Sequence, residues 1–293
     1  MTDLLPDTFR SRDVELDGVR IHAVVGGDGP PVLLLHGYPQ THAMWHLVAP
    51  ALARDHTVVL ADLRGYGDSG KPAASPENYA KREMARDQVA LMALLGFERF
   101  ALVGHDRGAR VAHRLALDSP AAVERVAFLD IVPTLHVFEH VDRAVASAHM
   151  HWFFLSRPGG LPERLIGGDP EFWLRSFLTS LRSSSRPFDP AAYAEYVRCF
   201  SDPATIAATC ADYRAAATID LDHDAASRAA GEQVRCPTLV LWGEHGVVGK
   251  NNDVLAVWRR FATDVAGEAL PAGHFLAEET PEETVAALRE FLS

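Results

Sequence analysis

The sequence predicts an α/β fold in which one mainly parallel β-sheet carries helices on both faces and a helical cap is inserted into the core. Short apolar, β-branched runs alternate with helix-like segments along most of the 293 residues, and this alternation is typical of a parallel sheet. Several runs are apolar throughout, as strands covered on both faces are. The alternation stops over residues 133–214, where helical periodicity remains without a convincing strand.

Seven strands are predicted, and helix-like stretches such as Lys81–Leu95 and Gly108–Ser119 lie between them. The strand after the cap resumes near Cys236. Because strands joined through helices run in the same direction, right-handed crossovers are expected. The predicted strands are Val19–Val25, Val32–His36, His56–Ala61, Phe100–Gly104, Arg125–Ile131, Pro237–Trp242 and Val265–Leu270.

The segment without strands is unusually aromatic, since Phe, Trp and Tyr make up 12 of its 82 residues but 13 of the other 211. We interpret residues 133–214 as a helical cap, with residues 1–132 and 215–293 forming the two parts of one core. Ligands of such folds bind at the carboxyl edge of the sheet. The cap is expected to close over that edge.

Composition excludes several classes of protein. The 28 basic residues against 39 acidic ones give a net charge of −11, which does not favour a nucleic-acid partner. Cys199, Cys210 and Cys236 have the spacing of neither a disulfide framework nor a zinc cluster. The first residues do not read as a signal peptide, and no apolar run approaches the roughly 20 residues of a membrane span. A cytoplasmic protein without a membrane partner is expected.

The most informative segment is Gly104-His105-Asp106-Arg107-Gly108, which follows an apolar strand and precedes a helix. This is the pattern of a nucleophile elbow with Asp in the central position, although a plain helix N-cap gives a similar pattern. A carboxylate is ionised at neutral pH and can displace a leaving group from saturated carbon, which forms an alkyl ester. Hydrolysis of that ester needs a general base and an oxyanion hole.

The predicted base is His274, which follows a Gly turn and the last predicted strand near the C-terminus, where the base of this arrangement is found. Two carboxylates are candidates to orient it. Asp130 ends the strand after the elbow helix, whereas Glu244 follows the penultimate strand in Trp-Gly-Glu-His-Gly. We favour Asp130, because its strand end faces the same edge of the sheet as Asp106.

The predicted oxyanion hole is made of backbone. His36-Gly37-Tyr38-Pro39 follows the strand that begins at Val32. The N–H groups of Tyr38 and Arg107 are expected to point at the ester oxygen. The alternative is a plain turn into the next helix.

Two arginines predict the charge of the substrate. Arg110 follows Asp106 by four residues, so on a helix it returns to within about 40° of it, and Arg107 lies beside both. Buried guanidinium groups need anions, and one nucleophile supplies a single negative charge. A substrate carboxylate is the expected second anion. The alternative places these arginines on a solvent-facing helix.

The stretch Gly-His-Asp-Arg-Gly-Ala-Arg at 104–110 resembles the fluoroacetate dehalogenases of the α/β-hydrolase superfamily. His151-Trp152 resembles their halide-binding pair, and residues 210–214 resemble the segment with their third halide donor, here Tyr213. The resemblance spans essentially the whole chain and implies an α/β-hydrolase fold and a homodimer. Related haloalkane dehalogenases and epoxide hydrolases usually carry Trp after the nucleophile, where this sequence has Arg107.

Chemistry agrees with this resemblance, because a departing halide needs donors and His151, Trp152 and Tyr213 offer three. Without the resemblance, the aromatic cluster at 151–154 would be interpreted as packing inside the cap. His149-Met150-His151 has no Cys or acidic partner at ligand spacing that would support a metal site. Neither a metal nor a cofactor is expected.

The sequence therefore predicts a haloacetate dehalogenase that converts a small haloacid into a 2-hydroxy acid. An epoxide hydrolase is the first alternative, with Tyr193, Tyr196 and Tyr213 as candidate donors to the epoxide oxygen. The arginine pair would then have no role. A ligand-binding protein without catalytic activity is the second alternative, and a complete Asp–His–acid set argues against it.

Overall fold

The computed structural model describes residues 4–184 and 186–293 and contains one eight-stranded sheet. The strands lie in the order β1-β2-β4-β3-β5-β6-β7-β8. β1 and β2 are antiparallel, as are β2 and β4, and every other pair is parallel. Their bounds are β1 Arg10–Leu16, β2 Val19–Gly26, β3 Pro31–Leu35, β4 Thr57–Ala61, β5 Phe100–His105, β6 Val123–Leu129, β7 Thr238–Gly243 and β8 Val265–Leu270.

The predicted fold class is confirmed, and all seven predicted strands are present with ends shifted by two residues or fewer. Sequence reasoning missed β1. This edge strand, Arg-Ser-Arg-Asp-Val-Glu-Leu, is mostly exposed, so it carries little of the apolar signal that marks a buried strand. Its backbone pairs with β2 from Arg10↔Val25 to Leu16↔Val19. The side chains of β1 give no pattern from which this pairing could be predicted.

Fifteen helices occupy the described part of the chain, together with 3₁₀ turns at His42–Trp45 and Glu77–Tyr79. Those of the core are α1 Ala49–Leu52, α2 Lys81–Leu94, α3 Arg107–Asp118, α12 Val247–Asn251, α13 Val254–Trp258, α14 Leu276–Glu279 and α15 Pro281–Leu292. Those between β6 and β7 are α4 Thr134–Glu139, α5 Arg143–Ala148, α6 Met150–Leu155, α7 Leu161–Gly168, α8 Pro170–Leu181, α9 Pro190–Phe200, α10 Pro203–Ala216 and α11 Ile219–Ala229.

The core lies around the central parallel strands. Every residue of β5 is buried, as are the last four residues of β3. Helix α3 follows β5 and is buried over its first ten residues, including Arg107, Arg110 and Arg114. Charged side chains inside such a helix need partners nearby, and here helix α10, the segment after β6 and the end of α3 provide them.

The helices from Thr134 to Ala229 lie between β6 and β7, and the described part of this segment contains no strand. The proposed limit between residues 214 and 215 falls inside α10. Helix α11 continues the helical run, contacting both α10 and α4. The limits of the cap therefore stay a prediction. Within the described residues, no helix has the length and apolar character needed to cross a membrane.

Gly104 should be far less replaceable than a glycine on the surface. A Cβ at Gly104 would lie 2.6 Å from Ala109 Cα, whereas a Cβ at Gly167 would meet nothing within 4 Å. Because the crowding atoms are backbone, we expect Gly104→Ala to lower the free energy of unfolding by about 1–3 kcal/mol. Gly167→Ala, inside α7, should leave it unchanged or raise it by about 1 kcal/mol. Urea titration measures both, and equal effects would contradict the prediction.

Candidate active site

Asp106 lies at the sharp turn between β5 and α3. Its backbone φ is +46°, a conformation that non-glycine residues rarely adopt. The turn is possible because the residues two positions before and after Asp106 are glycines: a Cβ on Gly108 would lie 2.4 Å from the carbonyl oxygen of His36. The strained turn therefore presents the carboxylate at the edge of the sheet, as the sequence pattern predicts.

His274 and Asp130 lie beside this carboxylate. His274 Nδ1 is 2.6 Å from Asp130 Oδ2, and His274 Nε2 is 3.9 Å from Asp106 Oδ2. Asp130 follows β6 with a φ of +50°, and its Oδ1 accepts a hydrogen bond of 2.9 Å from Gly243 N–H. Glu244 is exposed. The structure thus brings Asp130, rather than Glu244, to the imidazole.

Neighbouring charges set the ionisation of this group. Burial opposes ionisation of Asp106. The charges of His274, His105, Arg107 and Arg110 nevertheless hold the pKa of Asp106 well below its ordinary value. Burial also opposes protonation of His274, but its hydrogen bond to Asp130 and the charge of that carboxylate raise the pKa of His274 above 6.5. At neutral pH Asp106 is therefore an anion.

The backbone of Tyr38 contacts the same carboxylate. Tyr38 N–H donates to Asp106 Oδ1 over 2.9 Å. The approach depends on Gly37, where a Cβ would lie 2.5 Å from Asp106 Cβ. The other predicted donor is the backbone N–H of Arg107, the first residue of α3. This N–H has no hydrogen-bond partner among residues 4–184 and 186–293. Such a free N–H is usual in the first turn of a helix.

Arg110 is buried and held mainly by neutral groups. Its Nη1 donates to Val132 O and Thr134 Oγ1, each over 3.0 Å. Its guanidinium carbon lies 4.4 Å from the centre of the Trp152 ring. Burial and the adjacent Arg107 lower the pKa of Arg110 to about 10, so it remains a cation at neutral pH.

Arg107 has a partner that sequence reasoning missed. Its Nε donates to Asp212 Oδ2 over 3.1 Å, its Nη2 donates to Oδ1, and both residues are fully buried. Lys81 Nζ and Tyr66 O–H also bind this carboxylate. Against the effect of burial, Arg107 and Lys81 lower the pKa of Asp212 to about 2.

This contact corrects the charge argument made from the sequence. The second anion beside Arg107 is Asp212 of α10, so the two arginines do not by themselves require an anionic substrate. The signal was present, because Asp212 directly precedes Tyr213 in the segment considered for halide binding. Its distance of 105 positions from Arg107 concealed the pairing.

Two guanidinium nitrogens nevertheless keep their hydrogen-bonding capacity. Arg107 Nη1 and Arg110 Nε are buried and have no hydrogen-bond partner within the described chain. An unmet buried donor is costly, and charged donors more so than neutral ones. These atoms therefore provide two directional donors to which an anion can bind.

His151, Trp152 and Tyr213 form one buried cluster. The ring centres of His151 and Tyr213 are 5.7 Å apart, and those of Trp152 and Tyr213 are 6.2 Å apart. The Tyr213 ring lies 4.3 Å from the guanidinium carbon of Arg107, and its hydroxyl has no partner among the described residues. Burial and His149 hold the pKa of His151 well below 6.5, so its imidazole is neutral and offers one N–H.

The other tyrosines considered from the sequence are placed differently. Tyr196 O–H donates to Glu278 Oε1 over 2.9 Å. Neither Tyr193 nor Tyr196 is in ring contact with His151, Trp152 or Tyr213 within the described residues. Of the three, Tyr213 alone reaches the arginine cluster.

A cavity of about 30 Å³, the candidate catalytic cavity, lies beside Asp106 and His274. A space of this size holds one or two waters or a molecule of a few heavy atoms. It is lined by Asp106, Arg110, Asp130, Ala148, His149, His151, Trp152, Leu181, Val247, Val248 and His274.

One group of side chains elsewhere has the spacing of metal ligands. His22, His42 and Asp62 place nitrogen and oxygen atoms within 4.8 Å of one another. However, Asp62 Oδ1 already accepts hydrogen bonds from the backbone N–H and the ring nitrogen of His42, over 2.8 and 2.9 Å. These bonds account for the cluster without an ion.

Comparison with known proteins places this geometry in a family. The model of the alpha/beta hydrolase fold matches residues 30–281. The chain belongs to the α/β-hydrolase family. Asp106 at an elbow after β5 and His274 near the C-terminus have the chain order in which this fold carries its nucleophile and base.

Two relatives differ in activity. The chain is 48% identical over 288 residues to a fluoroacetate dehalogenase from Burkholderia sp.. The alignment covers 97% of this chain and 94% of that relative. It is 36% identical to a soluble epoxide hydrolase from Corynebacterium sp. (strain C12), over 95% of both chains. A solved α/β hydrolase from Nostoc sp. PCC 7120 is 56% identical, with a TM-score of 0.95, over 97% of this chain and 98% of that one. The resemblance seen in the sequence is confirmed, and the chain is a hydrolase by family.

The pKa of His274 should depend on Asp130 and not on Glu244. Asp130→Asn removes the buried charge that stabilises the imidazolium, so the pKa of His274 should fall. Glu244→Gln changes an exposed side chain and should leave it unaltered. NMR titration of the imidazole protons measures both, with His274→Asn used to assign the signal. A larger shift in Glu244→Gln would assign the orienting role to Glu244.

Proposed function

We propose that this protein is a haloacetate dehalogenase, which hydrolyses the carbon–halogen bond of fluoroacetate and related 2-haloacids. One observation carries the proposal: an ionised, buried Asp106 lines a small cavity with Arg110, His151 and Trp152, and Arg107 and Tyr213 lie directly behind Trp152 and His151. A nucleophile, a carboxylate-binding group and a halide-binding group then lie around one small space. The Burkholderia relative, a fluoroacetate dehalogenase, supports the same conclusion.

Displacement needs no base. Asp106 Oδ1 is held by Tyr38 N–H, so Oδ2 is the oxygen that attacks the α-carbon. The bond from carbon to Oδ2 forms as the carbon–halogen bond breaks, and the halide leaves with the electron pair. His151, Trp152 and Tyr213 donate to the departing halide, where charge develops in the transition state. The product is an ester of Asp106.

The substrate carboxylate binds the remaining guanidinium donors. Within these two guanidinium groups, Arg107 Nη1 and Arg110 Nε are buried and have no partner in the described chain. A charged hydrogen bond contributes about 1.5–3 kcal/mol, so two such bonds orient the α-carbon in front of Asp106. Asp212 holds the other edge of Arg107 and thereby fixes the direction in which Nη1 points.

Hydrolysis of the ester uses His274. Its Nε2 accepts a proton from water, and the hydroxide attacks the carbonyl carbon of Asp106. Tyr38 N–H already binds Oδ1 and stabilises the negative charge that develops there. Collapse breaks the bond between Cγ and Oδ2, His274 returns its proton to the departing alkoxide, and the 2-hydroxy acid leaves with that oxygen. The Asp106 carboxyl keeps the oxygen from water and releases its proton to solvent, which restores the carboxylate. Because water attacks the ester carbonyl and not the α-carbon, a chiral substrate is inverted once.

The two steps differ in their dependence on pH. Displacement requires the Asp106 anion, whose pKa lies far below neutrality, so it stays constant over the neutral range. Hydrolysis requires neutral His274, so its rate falls as pH falls through the pKa of that residue. In the ester Asp106 has lost its charge, and that charge contributes to raising the pKa of His274 in the free protein. The pKa of His274 is therefore lower in the ester.

An epoxide hydrolase is the second candidate, because the Corynebacterium relative is one. His151 and Tyr213 would then have to donate to the epoxide oxygen. This reaction leaves Arg107 Nη1 and Arg110 Nε without any function, and it has no need of the donor that Trp152 adds. The haloacid reaction uses all of these groups.

His274→Asn should trap the ester, because displacement does not use the base. After incubation with chloroacetate, intact-mass measurement should show one carboxymethyl group per chain, and peptide mapping should locate it on Asp106. Asp106→Asn/His274→Asn is the matched control and should remain unmodified. Wild-type protein should release chloride from chloroacetate and leave styrene oxide intact. Turnover of styrene oxide without chloride release would establish the epoxide hydrolase instead.

Trp152→Phe should distinguish halides. Fluoride concentrates its charge and depends on each donor, whereas chloride is more diffuse and leaves more readily. Loss of the indole N–H, worth about 1.5–3 kcal/mol when the partner is charged, should slow single-turnover defluorination about 10- to 100-fold. Dechlorination should slow much less. Single-turnover rates with fluoroacetate and chloroacetate measure the contrast, and equal losses would make Trp152 a packing residue of the cap.

A further inference from the structure

A larger, uncharged chamber adjoins the catalytic cavity. It has a volume of about 410 Å³ and shares four residues with the cavity, namely Ala148, His151, Leu181 and Val247. Residues of cap helices α5, α6 and α8 and Val247, at the start of α12, line it, and it is open to solvent on the side of Met150, Ser176 and Ser180. None of the described residues that line it is an Asp, Glu, Lys or Arg. The chamber is many times larger than a haloacetate needs.

The two sides of the catalytic cavity differ in polarity. Arg110, His149 and Val248 line the part of the cavity that is shared with a pocket of about 600 Å³. Ala148, Leu181 and Val247 line the part that is shared with the chamber. A substrate whose carboxylate binds Arg110 can therefore extend a further substituent past these three apolar residues into the chamber.

The chamber provides apolar surface for such a substituent. Trp173 and Phe177 of α8 line it together with Met150. The first two are fixed by their surroundings, since Trp173 Nε1 donates to Tyr38 O–H over 2.6 Å and the Phe177 ring packs 4.8 Å from His151. The apolar walls are therefore preformed.

From this arrangement we infer that the chamber is a binding subsite for the alkyl group of 2-haloalkanoic acids longer than haloacetate. The inference rests on the proposed function and names a wider substrate class for the same site. The reaction is unchanged: Asp106 displaces the halide with its electron pair, and water then cleaves the ester. Only one of the two remaining positions on the α-carbon faces Ala148, Leu181 and Val247, so one enantiomer is accepted.

Chain length supplies the first test. Each methylene that leaves water for the chamber is expected to lower KM about two- to fourfold. In the series 2-chloropropionate, 2-chlorobutyrate and 2-chlorohexanoate the reacting carbon is equally substituted, so KM for chloride release should fall along the series. With racemic acid, release should stop near half of the total chloride. A wild-type protein that dechlorinates chloroacetate but not 2-chlorohexanoate would overturn the inference.

Filling the chamber supplies the second test. Ser176 and Ser180 line it from α8, are exposed, and do not line the catalytic cavity. Ser176→Leu and Ser180→Leu should raise KM for 2-chlorohexanoate about tenfold and leave KM for chloroacetate within about twofold. Thr179→Leu is the matched control, because Thr179 is exposed on the same helix and does not line the chamber. It should alter neither constant.

The remaining outcomes are distinct. If both serine variants slow chloroacetate as much as 2-chlorohexanoate, the chamber is an entrance and not a subsite. If neither variant alters KM for 2-chlorohexanoate, the alkyl group binds elsewhere. Absence of halide release from every acid, chloroacetate included, would overturn the proposed function itself.

Discussion

The buried ion pair between Arg107 and Asp212 joins the two halves of this molecule. Arg107 begins α3 of the core, whereas Asp212 belongs to α10 in the helical segment between β6 and β7. Lys81 and Tyr66, from two further parts of the core, bind the same carboxylate. Removing one partner from a buried pair costs about 3–5 kcal/mol. The candidate site, which lies between the core and the helical segment, depends on this contact.

The pair also links the two kinds of recognition that the proposed reaction requires. Arg107 is fixed on one edge by Asp212, and its face packs on the ring of Tyr213. Asp212 and Tyr213 are consecutive residues of α10. This helix therefore positions both the guanidinium of Arg107 and the hydroxyl of Tyr213. In the proposed reaction, a shift of α10 would alter the binding of the substrate carboxylate and of the halide together.

The family resemblance leaves the choice of reaction to a few side chains. The same fold serves a fluoroacetate dehalogenase and an epoxide hydrolase among its relatives, as expected when function depends on the site and not on the scaffold. Here the residue after Asp106 is arginine. Its partner Asp212 neutralises it but leaves Nη1 available, so the site provides a directional donor without a large excess of charge.

The sequence by itself determined the fold class and the elbow at Asp106. Both follow from local patterns: apolar runs mark buried strands, and Gly104 and Gly108 permit a turn that other residues would block. It also indicated His274, because chain order places the base after the last strand. The exposed strand β1 was missed, since its pairing with β2 leaves no apolar pattern.

Only the tertiary structure decided the remaining questions. It brought Asp130 rather than Glu244 to His274, and it supplied Asp212 as the anion beside Arg107. Both outcomes depend on contacts between residues more than 100 positions apart in the sequence. Periodicity reports which face of an element is buried, but it does not report which charges meet there. Asp130 meets His274 because β6 and β8 end at the same edge of the sheet, and Arg107 meets Asp212 because α10 packs against the start of α3.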